Sequence, residues 1–195
     1  MDEQELEIEH KKLRIEKWKT FFSILTPLIL VYLTFIVQST LTEKKAEFER
    51  LQQILNEKQR IYGKLGSDLN RIYVYIADVG DFRQYTPLQI IQKKRESDRL
   101  FFTYLPYWSE KTAKRYDAFM RSAFATYQGS GERAKIKAMA LEKQKAYEKD
   151  KLIWDNAWNK HFTENRDPNY ASAYWRLVES LLADTVSSRV REIPL

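Results

Sequence analysis

From Thr20 to Thr42 the chain carries no charged residue, although 31% of its residues are Asp, Glu, Lys or Arg. At ~1.5 Å rise per residue, a helix over these 23 positions spans ~34 Å, enough for a hydrocarbon layer of ~30 Å. Trp18 and Lys19 stand at one edge, an aromatic and a cation suited to headgroup depth, and Glu43, Lys44 and Lys45 stand at the other. A cleaved leader would have an apolar run of roughly 7–15 residues and a small-x-small site. This run is longer, and only Val37-Gln38-Ser39 faintly fits such a site. A buried core helix would be expected to keep a polar face. The expectation is a single transmembrane helix over 20–42, preceded by a charged tail over 1–19, in a single-pass membrane protein whose first partner is the lipid bilayer.

Charge flanking the segment bears on orientation. The 15 residues before Thr20 hold Lys11, Lys12, Arg14, Lys17 and Lys19, and the 15 after Thr42 hold Lys44, Lys45 and Arg50. The excess favours a cytoplasmic N-terminus. A 20-residue window adds Lys58 and Arg60 and levels the count, so the lean rests on the nearest turns.

Beyond the apolar run, Phe48, Leu51, Leu55, Lys58, Tyr62, Leu65, Leu69, Ile72, Ile76 and Val79 follow a 3-4 spacing, with Lys58 the one charged member. This heptad pattern predicts a stalk or first bundle helix over 43–79, its packing carried by Leu51, Leu55, Tyr62, Leu65, Leu69, Ile72 and Ile76. Gly80-Asp81 ends it. Thr86-Pro87-Leu88-Gln89 is a capping box with Pro at the first helical position, opening a second helix to about Tyr104, where Pro106 stops it. Ser109 caps a third, with Ala113, Tyr116, Met120, Ala123 and Tyr127 in 3-4 register and Gly129-Ser130-Gly131 as its end. A fourth is predicted from Glu132 to about Phe162, and a fifth from the Asp167-Pro168 cap to about Arg189. No alternating strand pattern and no internal repeat is evident. With five Gly and five Pro, the chain is short of turn formers for an all-β fold. The predicted fold is all-α: the membrane helix, the stalk, and an antiparallel four- to five-helix bundle completed by 80–195.

Extended backwards, the 3-4 frame enters the apolar run. On a helical wheel Thr20, Ser23, Pro27, Thr34, Gln38 and Thr42 share an arc of about 100°. Helices meet in lipid through small residues and hydroxyls, so Ser23, Pro27, Thr34 and Gln38 are candidate self-association residues, in a seam that predicts a homo-oligomer. In the competing reading the hydroxyls bond their own backbone. A water-lined assembly is less favoured, because Leu30 and Val31 sit within or beside the stripe.

Catalytic patterns are missing. Without Cys there is no disulfide, thiolate zinc site or thiol nucleophile. His10 lies in the charged tail and His161 follows Trp158 by one turn, so a metal site would need carboxylates that no motif supplies. Neither a nucleophile motif nor a phosphate-cradling Gly-rich loop appears. No enzyme, cofactor or metal is expected.

Residues 43–195 hold a surplus of seven basic groups. Runs such as Lys93-Lys94-Arg95 and Arg133-Ala134-Lys135-Ile136-Lys137 could meet anionic headgroups or nucleic acid phosphates. Their interleaved acids fit ordinary solvated helix faces better, and nucleic acid ranks last among partners. Phe101 to Trp108 is the densest aromatic cluster. A Pro-centred bend between two capped helices favours a core corner, with a protein-partner patch at Tyr107 and Trp108 as the alternative.

Residues Asp155-Asn156-Ala157-Trp158-Asn159-Lys160-His161 are distantly similar to the Arg-polar-x-x-x-x-His element of HEPN-type ribonucleases, which are helical bundles. Asp155 stands where that family has its Arg. The likeness therefore implies a degenerate, nucleic-acid-binding module that lacks the cation for a scissile phosphate. The plan of one membrane helix ahead of a small bundle is similar to CRISPR-associated accessory pores of bacteria, which implies an oligomeric, membrane-perturbing effector. The residues themselves point first to a membrane-anchored scaffold or effector that acts by interaction.

Overall fold

The computed structural model describes residues 3–125 and 134–187. The protein is predominantly helical. Its first helix, α1, spans Glu3–Ala77, 75 residues with Pro27 inside. The chain divides into two units, 1–51 and 52–195, so the second begins within the stretch that the sequence assigns to a stalk.

In the first unit most of the described apolar side chains are open. Phe21, Leu28, Leu30, Val31, Tyr32, Phe35, Val37 and Leu41 are all exposed, Val31 at 69% and Phe35 at 70%. The hydroxyls of Thr26, Thr34, Thr40 and Thr42 each donate to the carbonyl four residues earlier, at 2.7, 2.7, 3.0 and 2.8 Å. Such bonds satisfy a hydroxyl without help from solvent.

In the second unit the last turns of α1 supply one wall of the core. Ile61, Leu65, Leu69, Ile72 and Ile76 have no exposed surface, at spacings of four, four, three and four residues that keep them on one helix face. Tyr62, which the heptad frame places in the seam, is only half-buried, and Ile61 takes the inward position beside it. Leu55 is also half-buried, as is Leu51 at the end of the first unit. α1 stops at Ala77, followed by Asp78 at φ 61° and Gly80 at φ 59°, while the Val79 amide donates to the Val74 carbonyl at 3.3 Å. These left-handed residues reverse the chain as a glycine-type helix cap does.

Helix α2 spans Pro87–Thr103 and opens on the complete capping box. The Gln89 amide donates to the Thr86 hydroxyl at 3.3 Å, and the Thr86 amide donates to the Gln89 side chain at 2.7 Å. A 3-10 turn at Leu105–Tyr107 carries Pro106, and α3 (Glu110–Ala123) starts on the Ser109 hydroxyl, which accepts from the Thr112 amide. Helix α5 spans Tyr170–Thr185. It is tied to α3 by a buried hydroxyl pair, Thr112 Oγ1 and Ser180 Oγ, 2.6 Å apart. Between Phe101 and Tyr116 the rings stack at 3.8 Å and 3°.

The fourth predicted helix is corrected. A single helix over 132–162 is not formed: α4 is Ala140–Lys149, and a 3-10 segment occupies Asn156–His161. Before α4 lies a small strand pair, β1 (Phe124–Ala125) against β2 (Lys135–Ile136), antiparallel, with Ile136 bridged also to Phe162. The absence of strands expected from the pattern therefore fails at this place. Ile136 is fully buried between Lys135 and Lys137, a two-residue alternation too short to register as a strand. After Lys149 the apolar residues Leu152, Ile153 and Trp154 are consecutive, which no helix face can bury together. Lys151 turns the chain at φ 59°, and Trp154 and Trp158 pack on Tyr147 at 5.3 and 6.0 Å. Helix α3 ends before Tyr127, the Gly129-Ser130-Gly131 signal lies outside the described residues, and the fifth helix, expected to run from the Asp167-Pro168 cap to about Arg189, starts at Tyr170 and stops at Thr185.

Candidate functional site

Three features could carry function: the open apolar run, the buried charges, and the positions singled out by motif. Among the described residues α1 is the one helix long and apolar enough to cross a membrane, near the N-terminus. Beside that run, Trp18 stacks with Phe22 at 5.7 Å and meets Phe21 edge-on at 5.9 Å, an aromatic group next to Lys17 and Lys19. Thr34 sits in the run with its proton given to Leu30, and Gln38 accepts from Thr42 through its carbonyl. Ser23 and Gln38 have exposed side chains, and Pro27 lies in uninterrupted helix.

Among the described residues of the second unit three lysines are buried, Lys58, Lys94 and Lys143. Lys58, the charged exception of the heptad frame, is 1% exposed and donates to the carbonyls of Asp184 and Ser187 at 3.2 and 2.7 Å. It thereby ties α1 to the end of α5, where the Asp184 carbonyl also accepts from the Ser187 amide at 3.2 Å. Burial pushes its pKa down, opposed by the nearby Asp184 carboxylate. The Asp184 side chain in turn accepts from the Ser109 amide at 2.7 Å, at the start of α3.

Lys143 on α4 is fully buried. Its ammonium donates to the Tyr75 carbonyl and the Asp78 carboxylate, and lies 4.5 and 4.8 Å from the ring centres of Tyr75 and Phe82. Arg166 reaches the other Asp78 oxygen, with Glu142 at 3.5 Å. Burial pushes the Lys143 pKa down to about 8, against the pull of Asp78. Such a lysine is a good base or nucleophile where substrate can reach it. Here the two rings and the end of α1 cover it, and the arrangement is a polar knot that pins α4 and the 166 loop onto Asp78.

The knot escaped sequence reading because Lys143 stands among Glu142, Lys145 and Lys149 with nothing to distinguish it. A lone signal was available at Asp78, an Asp two residues before a Gly at a helix end. Trp108 is fully buried, parallel to Phe101 at 6.2 Å, while Tyr107 is half-buried and meets Tyr104 at 6.1 Å. Trp108 is thus a corner of the core rather than surface. His161 is buried at the end of the 3-10 segment, and Asp155 caps that segment by accepting from the Ala157 amide at 2.8 Å. The HEPN-like element is therefore a capped turn. Among the described residues no group of three His, Asp or Glu could hold a metal ion.

In the first basic run two of the three cations are engaged with acids. Lys93 pairs with Asp68 at 3.2 Å and Glu96 at 2.6 Å, and Lys94, itself buried, pairs with Asp98 at 2.5 Å. No protein-family model, no curated protein and no solved structure matches this chain.

Proposed function

We propose that this is a single-pass membrane-anchored protein that acts by association rather than catalysis. In this reading the bilayer surrounds 20–42, the N-terminal tail is cytoplasmic, copies meet along Ser23, Pro27, Thr34 and Gln38, and an antiparallel helical bundle meets a protein partner. The supporting observation is the contrast of exposure with composition. A run without charge keeps Val31 and Phe35 about 70% open, whereas Ile61, Leu65, Leu69, Ile72 and Ile76 of the second unit are sealed. Leaving that much apolar surface in water is costly, at about 25 cal/mol per Å². The hydroxyls that bond their own backbone suit a medium without water.

Alkaline carbonate extraction of membranes from cells making the full chain tests the anchor. Retention in the pellet is expected, and release into the supernatant overturns the reading. Reporter fusions at both ends then fix sidedness.

The polar arc of Ser23, Thr34, Gln38 and Thr42 also fits an oligomeric pore. Dye leakage separates the two readings, since a scaffold leaves liposomes sealed. Nucleic acid binding is disfavoured by the carboxylates already holding Lys93 and Lys94.

A further inference from the structure

A cleft of about 600 Å³ opens beside α3 and α5, lined by Lys114, Arg115, Arg121, Lys137 and Arg176 against the single carboxylate of Asp167. We propose that this cleft binds a phosphate-bearing small molecule of nucleotide size. The inference stands independently of the membrane reading.

Five cations line one concavity and three of them are paired with carboxylates, so a multiply charged anion gains most from Lys137 and Arg176, which are not. Their present partners differ. Lys114 and Arg121 are held only by exposed partners one turn away on α3, Glu110 and Asp117, both at 2.7 Å. Exposed pairs of this kind are weak and exchange readily. Lys137 and Arg176 pair with no carboxylate among the described residues. Arg115 is the fixed member: its Nη1 donates to the Arg176 carbonyl at 2.7 Å and to Glu179 at 2.8 Å. Asp167 is already engaged, since its Oδ1 accepts from the Asn169 amide at 2.8 Å.

Guanidinium groups favour phosphate because their planar donors match its oxygens in pairs. The cleft lies within the ~300–1,000 Å³ of small-molecule sites. Its cations gather at one place, whereas a nucleic acid backbone asks for a stripe. Asn169 and Ser172 line the same cleft and supply neutral polar groups for the rest of the ligand.

Calorimetry on the full-length protein in zwitterionic nanodiscs tests this, with tripolyphosphate and ATP as separate probes at about 0.15 M salt. Saturable binding of at least one probe is expected. Equal affinity for both identifies bare polyphosphate recognition, and tighter ATP binding identifies a nucleotide. The double variant Lys137→Gln/Arg176→Gln should weaken binding by roughly tenfold or more through lost charge-assisted bonds. Lys149→Gln/Lys151→Gln removes the same charge elsewhere and should change affinity by less than about twofold. Should the first variant fail to fold, Arg176→Gln alone, on an exposed helix face, gives the same comparison. No saturable binding of either probe, equal loss in both double variants, or binding of an RNA oligomer alone would each overturn the proposal.

Discussion

Two lengths of the same helix treat apolar residues in opposite ways. Over 28–41 they lie open, with Leu28 and Leu30 about 60% exposed. Over 61–76 they return every three or four residues, and Leu65, Leu69, Ile72 and Ile76 have no exposed surface. Secondary structure is the same in both, so helix propensity explains neither. The period of the pattern separates them: a stripe implies a protein neighbour on one side, and an uncharged girdle, broken by hydroxyls and Gln38, fits the bilayer proposed around it.

The largest effect should come from charging the girdle. Leu30→Arg combined with Phe35→Arg places two cations in the apolar run, each costing roughly 3 kcal/mol of insertion. The protein should then leave carbonate-washed membranes, and full retention would remove the distinction between the two lengths. Truncation in the core should come next. Leu69→Ala should cost about 2–5 kcal/mol and Trp108→Ala about 3–5 kcal/mol, read from denaturant unfolding, whereas Leu30→Ala should shift the same transition by less than about 0.5 kcal/mol. A Trp108→Ala protein of wild-type stability would return that residue to the surface.

A smaller effect should appear with pH. Lys143 has a folded pKa of about 8, below its ordinary 10.5, so the folded protein releases this proton first. Between these values the unfolded chain holds more protons, and stability must rise with pH. Relative to Lys143→Met, the wild type should gain about 2 kcal/mol between pH 8 and pH 10. A flat difference between the two curves would show that the knot does not hold its lysine in the way described. The smallest effect concerns the seam: Ser23→Leu with Thr34→Leu should weaken oligomers in detergent by about 1 kcal/mol. An unchanged oligomer would assign those hydroxyls to their own backbone alone.

Local signals survived folding where the chemistry was local. The Thr86 and Ser109 caps form as their residue types dictate, because a hydroxyl and an amide three residues apart need nothing else. The inward face of α1 was readable from Leu65 onward, since its partners demand only apolar contact. Helix four was misread because its end depends on distant groups. The Ala140 amide is capped by Glu164 at 3.2 Å, and Trp154 is drawn onto Tyr147, neither of which leaves a trace in the local pattern. The cationic cleft was equally hidden, as Lys137 and Arg176 are 39 positions apart and meet only through the fold.

Lys58 carries a consequence for how the molecule is made. Its acceptors, the carbonyls of Asp184 and Ser187, are 126 and 129 residues downstream. During synthesis, α1 emerges long before those acceptors exist, and the Lys58 ammonium must stay hydrated until α5 arrives. The girdle can find its surroundings early, while the second unit can close only after α5 has been made.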